Sequence, residues 1–146
     1  MPCFTAEISN NQICFNCSAH KPGEDESGAG HSFIGLLDTG AQKTGITQKV
    51  VDAVGLSPVS WGSVTGVSGV VETPIYLLDI GIAVSEHSRH TDGSIIESVF
   101  GKGFRSRQVS LLDFGENSAF DILIGMDVIT ECHLTIHSQN LYTLCI

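Results

Sequence analysis

The apolar run Phe33-Ile34-Gly35-Leu36-Leu37 stops abruptly at Asp38-Thr39-Gly40-Ala41, and no other junction constrains this chain as much. Five apolar residues bounded by turn formers read as an interior strand. A carboxylate set on a glycine turn at the mouth of such a strand has little structural purpose, because burying a charge costs free energy unless it is paired or used. The junction marks a site for chemistry, and the sequence contains only one of its kind.

The rest of the chain is organised around strands. Residues 1–20 alternate apolar and polar, the period of a half-buried strand, and Asn10-Asn11 reads as a hairpin turn between two of them. Residues 22–30 are polar and glycine-rich and are expected to form an exposed loop. From Thr47 to Val54 the period changes: Val50, Val51 and Val54 share one helical face, Thr47 can cap the first turn, and Gly55 can take the left-handed exit. Val64 to Val71 reads as a hairpin with Gly66 and Gly69 at its tip, and Pro74 to Val84 resumes strand character. Residues 85–108, an expected inserted hairpin or loop, hold four of the seven basic residues together with His87 and His90. Strands follow at 109–114 and 120–124, one or two helical turns at 125–131, and strands again to Ile146. With no repeat and no dividing linker, residues 1–146 are read as a single domain.

Composition narrows the function classes. The chain is 42% hydrophobic, 16% charged and holds 16 glycines, which fits a turn-rich β domain rather than a disordered one. A formal charge of −9 repels phosphate backbones and anionic membranes, so neither nucleic acid nor membrane is an expected partner. No apolar run approaches membrane-spanning length and the N-terminus lacks signal-peptide character. Five irregularly spaced cysteines favour reduced thiols and a cytoplasmic location.

Three features occur in a fixed order: Asp38-Thr39-Gly40-Ala41 after its strand, the glycine-tipped hairpin at 64–71, and Ile122-Leu123-Ile124-Gly125. As an ordered set, from about Phe33 to Thr135, they resemble the single-lobed retroviral-type (retropepsin-like) aspartic proteases, particularly bacterial and phage-like members. The resemblance implies an all-β, closed retropepsin-like barrel with one or two short helices, acting as a homodimeric aspartic endopeptidase without metal or organic cofactor. Two carboxylates held close together cannot both ionise cheaply, so one keeps a proton while the other acts as base on a water held between them. With one Asp-Thr-Gly turn per chain, the second carboxylate has to come from a second copy. Asp38, Thr39 and Gly40 would form the catalytic turn: the aspartate activates water, the threonine hydroxyl bonds across the dyad, and the glycine lets a backbone amide approach the carboxylate. Gly66, Val67, Ser68 and Gly69 match a flap tip, and with Ala41 and Phe120 would contact an extended peptide substrate. Gln42 and Lys43 replace the acidic residues that often follow the alanine, and Met126 stands where an arginine is common.

Other readings stay open at this level. The fold could persist as a silent dimeric domain that grips peptides or mediates assembly. Cys14-Phe15-Asn16-Cys17 has the spacing of a zinc knuckle but lacks a second pair. His133 and His137 share one face of a strand and read as surface residues, Asp121 and Asp127 as turn and helix-start carboxylates. The basic residues of 85–108 read as a solvated loop or as a selector of substrate or partner. Apolar residues at both ends, Phe4, Ala6 and Ile8 and then Leu141, Leu144, Cys145 and Ile146, suggest terminal strands buried in a dimer interface.

Overall fold

The computed structural model describes residues 1–24, 31–115 and 117–146, so most of the loop expected at 22–30 lies outside the described residues. In chain order the elements are β1 (Cys3–Glu7), β2 (Ile13–His20), β3 (His31–Leu37), β4 (Gly45–Ile46), α1 (Gln48–Val54), β5 (Ser60–Gly66), β6 (Gly69–Arg89), β7 (Ile95–Leu111), β8 (Ile122–Ile124), α2 (Met126–Ile129), β9 (His133–His137) and β10 (Leu141–Cys145). Six of them, in the order β2-β3-β8-β4-β7-β6, form a sheet that β6 closes by pairing back onto β2. β5 adds to the outer side of β6, while β1, β10 and β9 make a separate three-stranded antiparallel sheet.

Closing the barrel removes most free edges and encloses one core. Phe33, Ile46, Leu78, Ile80, Ile82, Phe104, Val109, Ile122 and Ile124 fill it from the strands. Val50, Val51 and Val54 seal one side from α1, as their spacing predicted. Each such side chain taken fully out of water contributes about 1.5–3 kcal/mol before the entropy of ordering is subtracted. Gly55 ends α1 at φ 73° and donates its N–H to the Val51 carbonyl. Thr47, expected to cap that helix with its side chain, instead donates its hydroxyl to the Asp121 carbonyl at 3.1 Å. That bond ties the start of α1 to the segment entering β8.

The first turn follows the sequence reading: Asn10 and Asn11 both take left-handed φ, 52° and 59°, and Ser9 bridges to Gln12. Residues 85–108 are the outer parts of β6 and β7, a long antiparallel hairpin rather than a loose insert. Two of its cations have structural partners. Lys102 donates to the Glu131 carbonyl, and Arg107 pairs with the Glu131 carboxylate and donates to the Asp127 carbonyl at 3.1 Å. Both also lie over the Phe104 ring. A register shift between Leu78 and Ile80 leaves Asp79 buried, where its carboxylate accepts the N–H groups of Ser106 (2.6 Å) and Gly23 (3.2 Å).

Two expectations about the cysteines and the termini are corrected. Cys3 and Cys145 stand opposite each other on β1 and β10 and are joined by a disulfide, which leaves Cys14, Cys17 and Cys132 free. An odd cysteine count hid a pair 142 residues apart, so the count carries no argument for a reducing compartment. The apolar terminal side chains are largely spent within the chain. Tyr142 and Leu144 are fully buried, and Phe4 packs edge-on against Tyr142 at 5.8 Å. β10 is the central strand of its sheet, not an edge.

Candidate active site

β3 delivers Asp38 to a crossing of four segments. β8 lies parallel to β3, with Leu37 opposite Ile124, and antiparallel to β4, so the late Ile-Leu-Ile run threads between the strands that flank the aspartate turn. The Asp38 N–H donates to the Ile124 carbonyl at 3.0 Å, and the Met126 N–H donates to the Ala41 carbonyl at 2.9 Å. The turn closes on itself through Ala41 N–H to the Asp38 carbonyl at 3.2 Å. Gly40 points its N–H at Asp38 Oδ1, 2.8 Å away. A Cβ on Gly40 would sit 3.1 Å from that oxygen, which is why glycine suits the position. The half-buried carboxylate is thus oriented by backbone, with Thr39 and Gly40 exposed beside it.

The turn is braced from behind by residues read in the sequence only as structural carboxylates or not singled out. Thr44 is fully buried; its N–H and hydroxyl both donate to Asp127 Oδ1, at 2.9 and 2.8 Å. The Gly125 N–H donates to Thr44 Oγ1 at 3.1 Å, closing the ring. A Cβ on Gly125 would lie 2.5 Å from the Lys43 carbonyl carbon, so two backbones meet here with no room for a side chain. Asp121 is engaged as fully. Its carboxylate takes the Ile34 N–H at 2.9 Å and the exposed Lys49 ammonium at 2.9 Å. The Thr-x₈₂-Asp pairing has no local signal; only the crossing brings Thr44 and Asp127 together.

The remaining expected site residues fall into two groups. Gly66 to Gly69 form the tip of the β5–β6 hairpin, with Gly69 at φ 116° and Val67 fully exposed. Val64 stands opposite Val71, which is 59% exposed, and burial on that face begins only at Thr73, nearer the base of the hairpin. Phe120 stacks edge-on with Phe114 at 5.0 Å and lines an open groove of about 930 Å³ between α1 and the 111–121 segment. Asp38 and the hairpin tip are not part of that groove's lining. Cys14 and Cys17, three apart on β2, face opposite sides, one exposed and one buried, so they cannot act as a knuckle. Burial pushes the Cys17 thiol up to about 12, helped by the negative charge of Asp121.

A single chain supplies one oriented carboxylate on a glycine turn, a brace behind it and a glycine-tipped hairpin. These features sit on a retropepsin-like fold. The chain belongs to the aspartyl protease family, whose model matches residues 27–128. The crystal structure of a retropepsin-like aspartic protease from Rickettsia conorii is similar in fold, with a TM-score of 0.59 at 12% identity, covering 97% of this chain and 89% of that one. Comparison with curated proteins finds no match. Among the described residues, no helix is long and apolar enough to cross a membrane.

Proposed function

We propose that this chain is an aspartic endopeptidase that cleaves extended polypeptides with a water activated between Asp38 of two identical subunits. The observation that carries the reading is the Asp38 carboxylate itself, half-exposed and held by the Gly40 N–H at the only turn of its kind in the chain. One aspartate of the pair takes a proton from the water as oxygen attacks the peptide carbonyl carbon. The other, protonated, donates to the carbonyl oxygen, giving a gem-diol that collapses with protonation of the departing amine. Thr39, exposed beside the carboxylate, would offer its hydroxyl to the matching turn of the second subunit. The 64–71 hairpin closes over substrate, Gly66 and Gly69 supplying the backbone freedom, with Val67 against the peptide. Ala41 lies beside the bound chain, and Phe120 borders a side-chain pocket. The Thr44–Asp127 brace holds the catalytic turn from behind, in a chain that carries Met126 after Gly125.

The test is cleavage of a denatured protein, blocked by a statine inhibitor and abolished by Asp38→Asn. The amide preserves shape but cannot act as base, so turnover should fall below detection while circular dichroism and sedimentation match wild type. Undiminished hydrolysis by the purified variant would remove Asp38 from the mechanism. A properly folded wild type without hydrolysis on any substrate panel would leave a peptide-binding domain instead.

A further inference from the structure

The groove between α1 and the 111–121 segment carries charge that its structural role does not require. α1 turns Val50, Val51 and Val54 into the core, which leaves Gln48, Lys49, Asp52 and Ala53 to line the groove. The facing wall is fixed in place. The Leu112 N–H donates to the Ile46 carbonyl at 2.8 Å, and a Cβ on Gly45 would come within 2.1 Å of Leu112 Cδ1, so that side chain seats directly on the glycine. Leu111 and the Phe114–Phe120 pair complete the apolar lining, with Phe114 47% exposed. Two exposed carboxylates border this apolar hollow. Asp52 accepts Gln48 Nε2 at 2.8 Å and Asp113 accepts the Gly115 N–H at 3.1 Å; among the described residues neither is paired with a cation. The one lysine in the lining, Lys49, is committed to buried Asp121 at 2.9 Å. One lysine against three aspartates leaves the groove a formal charge of −2.

We propose that this groove binds an arginine or lysine side chain of the polypeptide substrate, making the chain selective for basic segments. The inference deepens the peptidase reading above and rests on it. A negative hollow with aromatic walls is complementary to a cation that also carries apolar length. The methylene stem of a basic side chain covers Leu111 and Ala53, the head meets Asp52 and Asp113, and a guanidinium lies flat against the exposed Phe114 ring. An acidic side chain would meet like charges there, and an aliphatic one would cover carboxylates without giving them a partner. The walls therefore discriminate among side-chain classes by repulsion as well as attraction. The position fits the site as well. The Asp121 N–H donates to the Ile34 carbonyl at 2.8 Å, which sets the Phe120 end of the groove beside β3. Asp38 lies four residues further along that strand, about 13 Å at the usual rise. An extended peptide spans the gap with about four residues, so one substrate can cross the aspartate and seat a basic residue in the groove. The formal charge of −9 draws basic peptides from a distance, and the groove decides where they settle.

Selection from a random-peptide display library on immobilised Asp38→Asn protein at physiological salt tests the groove without reference to hydrolysis. Recovered peptides should be enriched about threefold or more in arginine and lysine over the input. Adding Asp52→Asn and Asp113→Asn should remove that enrichment with an unchanged circular dichroism spectrum, because both positions are exposed. Adding Glu97→Gln instead, at an exposed acid on the distal hairpin, should leave the enrichment in place and so separates the groove from net charge. A recovered arginine peptide should also bind about threefold or more tightly than its citrulline counterpart, which keeps the shape and loses the charge. An empty selection, peptides without basic bias, a bias untouched by the groove substitutions, or one lost equally in Glu97→Gln would overturn the proposal. A wild type that binds arginine peptides through the groove yet hydrolyses none would instead defeat the proposed function and leave the groove's selectivity standing.

Discussion

Gly40 and Gly125 are both needed for lack of a side chain, yet their substitutions should fail in different ways. A methyl at Gly125 meets Lys43 carbonyl carbon at 2.5 Å, its oxygen at 2.7 Å and Thr44 N at 2.9 Å, all backbone in the crossing behind the turn. Backbone cannot rotate away, so Gly125→Ala is expected to cost about 1–3 kcal/mol or more in urea unfolding. A methyl at Gly40 meets only Asp38 Oδ1, at 3.1 Å. Gly40→Ala should therefore unfold near the wild-type midpoint while losing turnover roughly tenfold or more, because the displaced group is the one that must be aimed. Cys17 offers a pH test at the same scale. Its folded thiol lies at about 12 against 9.0 in an unfolded reference. The raised value favours the protonated folded state, so its stabilisation is complete below pH 9 and is lost as pH rises from there towards 12. Urea midpoints measured across that window should fall, and the fall should shrink in Cys17→Ala. Iodoacetamide at mildly alkaline pH should label exposed Cys14 and spare Cys17 until the chain unfolds.

Among the elements, the β5–β6 hairpin and the terminal sheet invite opposite experiments. Trp61, the only tryptophan, lies on β5 opposite Pro74 and is 69% exposed. It reports hairpin position without touching the core. If the hairpin closes over bound peptide, a statine inhibitor should shift Trp61 emission in the wild type and in Asp38→Asn alike. Emission unmoved at saturating inhibitor would assign the hairpin a fixed role. Removal of β10, by contrast, should do more than separate subunits. Deleting residues 141–146 strips Tyr142 and Leu144 from the core, together with half of the disulfide. The truncated chain is expected to lose its cooperative melt, each lost core side chain alone being worth about 2–5 kcal/mol. Recovery of a folded monomer by circular dichroism would contradict this and restore the termini as a pure interface.

At the scale of the molecule, charge and chemistry set conditions for assembly. Each chain carries a formal −9, so association into the proposed dimer would bring like charges together. Screening shortens the Debye length from about 10 Å at 0.1 M to about 3 Å at 1 M salt, and the dimer should tighten accordingly. A two-subunit site makes turnover per chain fall on dilution, and the dilution curve should move to lower protein concentration as salt rises. A paired carboxyl system needs one proton shared between two groups, so rate against pH should peak in the acidic to mildly acidic range and decline on both sides. Rates that climb steadily through alkaline pH at constant dimer fraction would point to other chemistry.

Local order was legible in the residues because it is set by neighbours in the chain. The apolar run into Asp38, the valine face and glycine exit of α1, the Asn10-Asn11 turn and the glycine-tipped hairpin each depend on a few adjacent side chains and on which backbone angles they allow. The three-part order of turn, hairpin and late Ile-Leu-Ile-Gly was enough to indicate the family. What needed the folded chain were the long-range pairings. Thr44 and Asp127 meet because β8 threads between β3 and β4; Thr47 turns its hydroxyl from its own helix to Asp121; Cys3 finds Cys145 because β1 and β10 lie in register. Alternation told that the ends were strands but not that β10 sits between β1 and β9 at the centre of their sheet. Periodicity fixes which face of a strand is apolar, whereas its neighbours are chosen by the closure of the whole sheet.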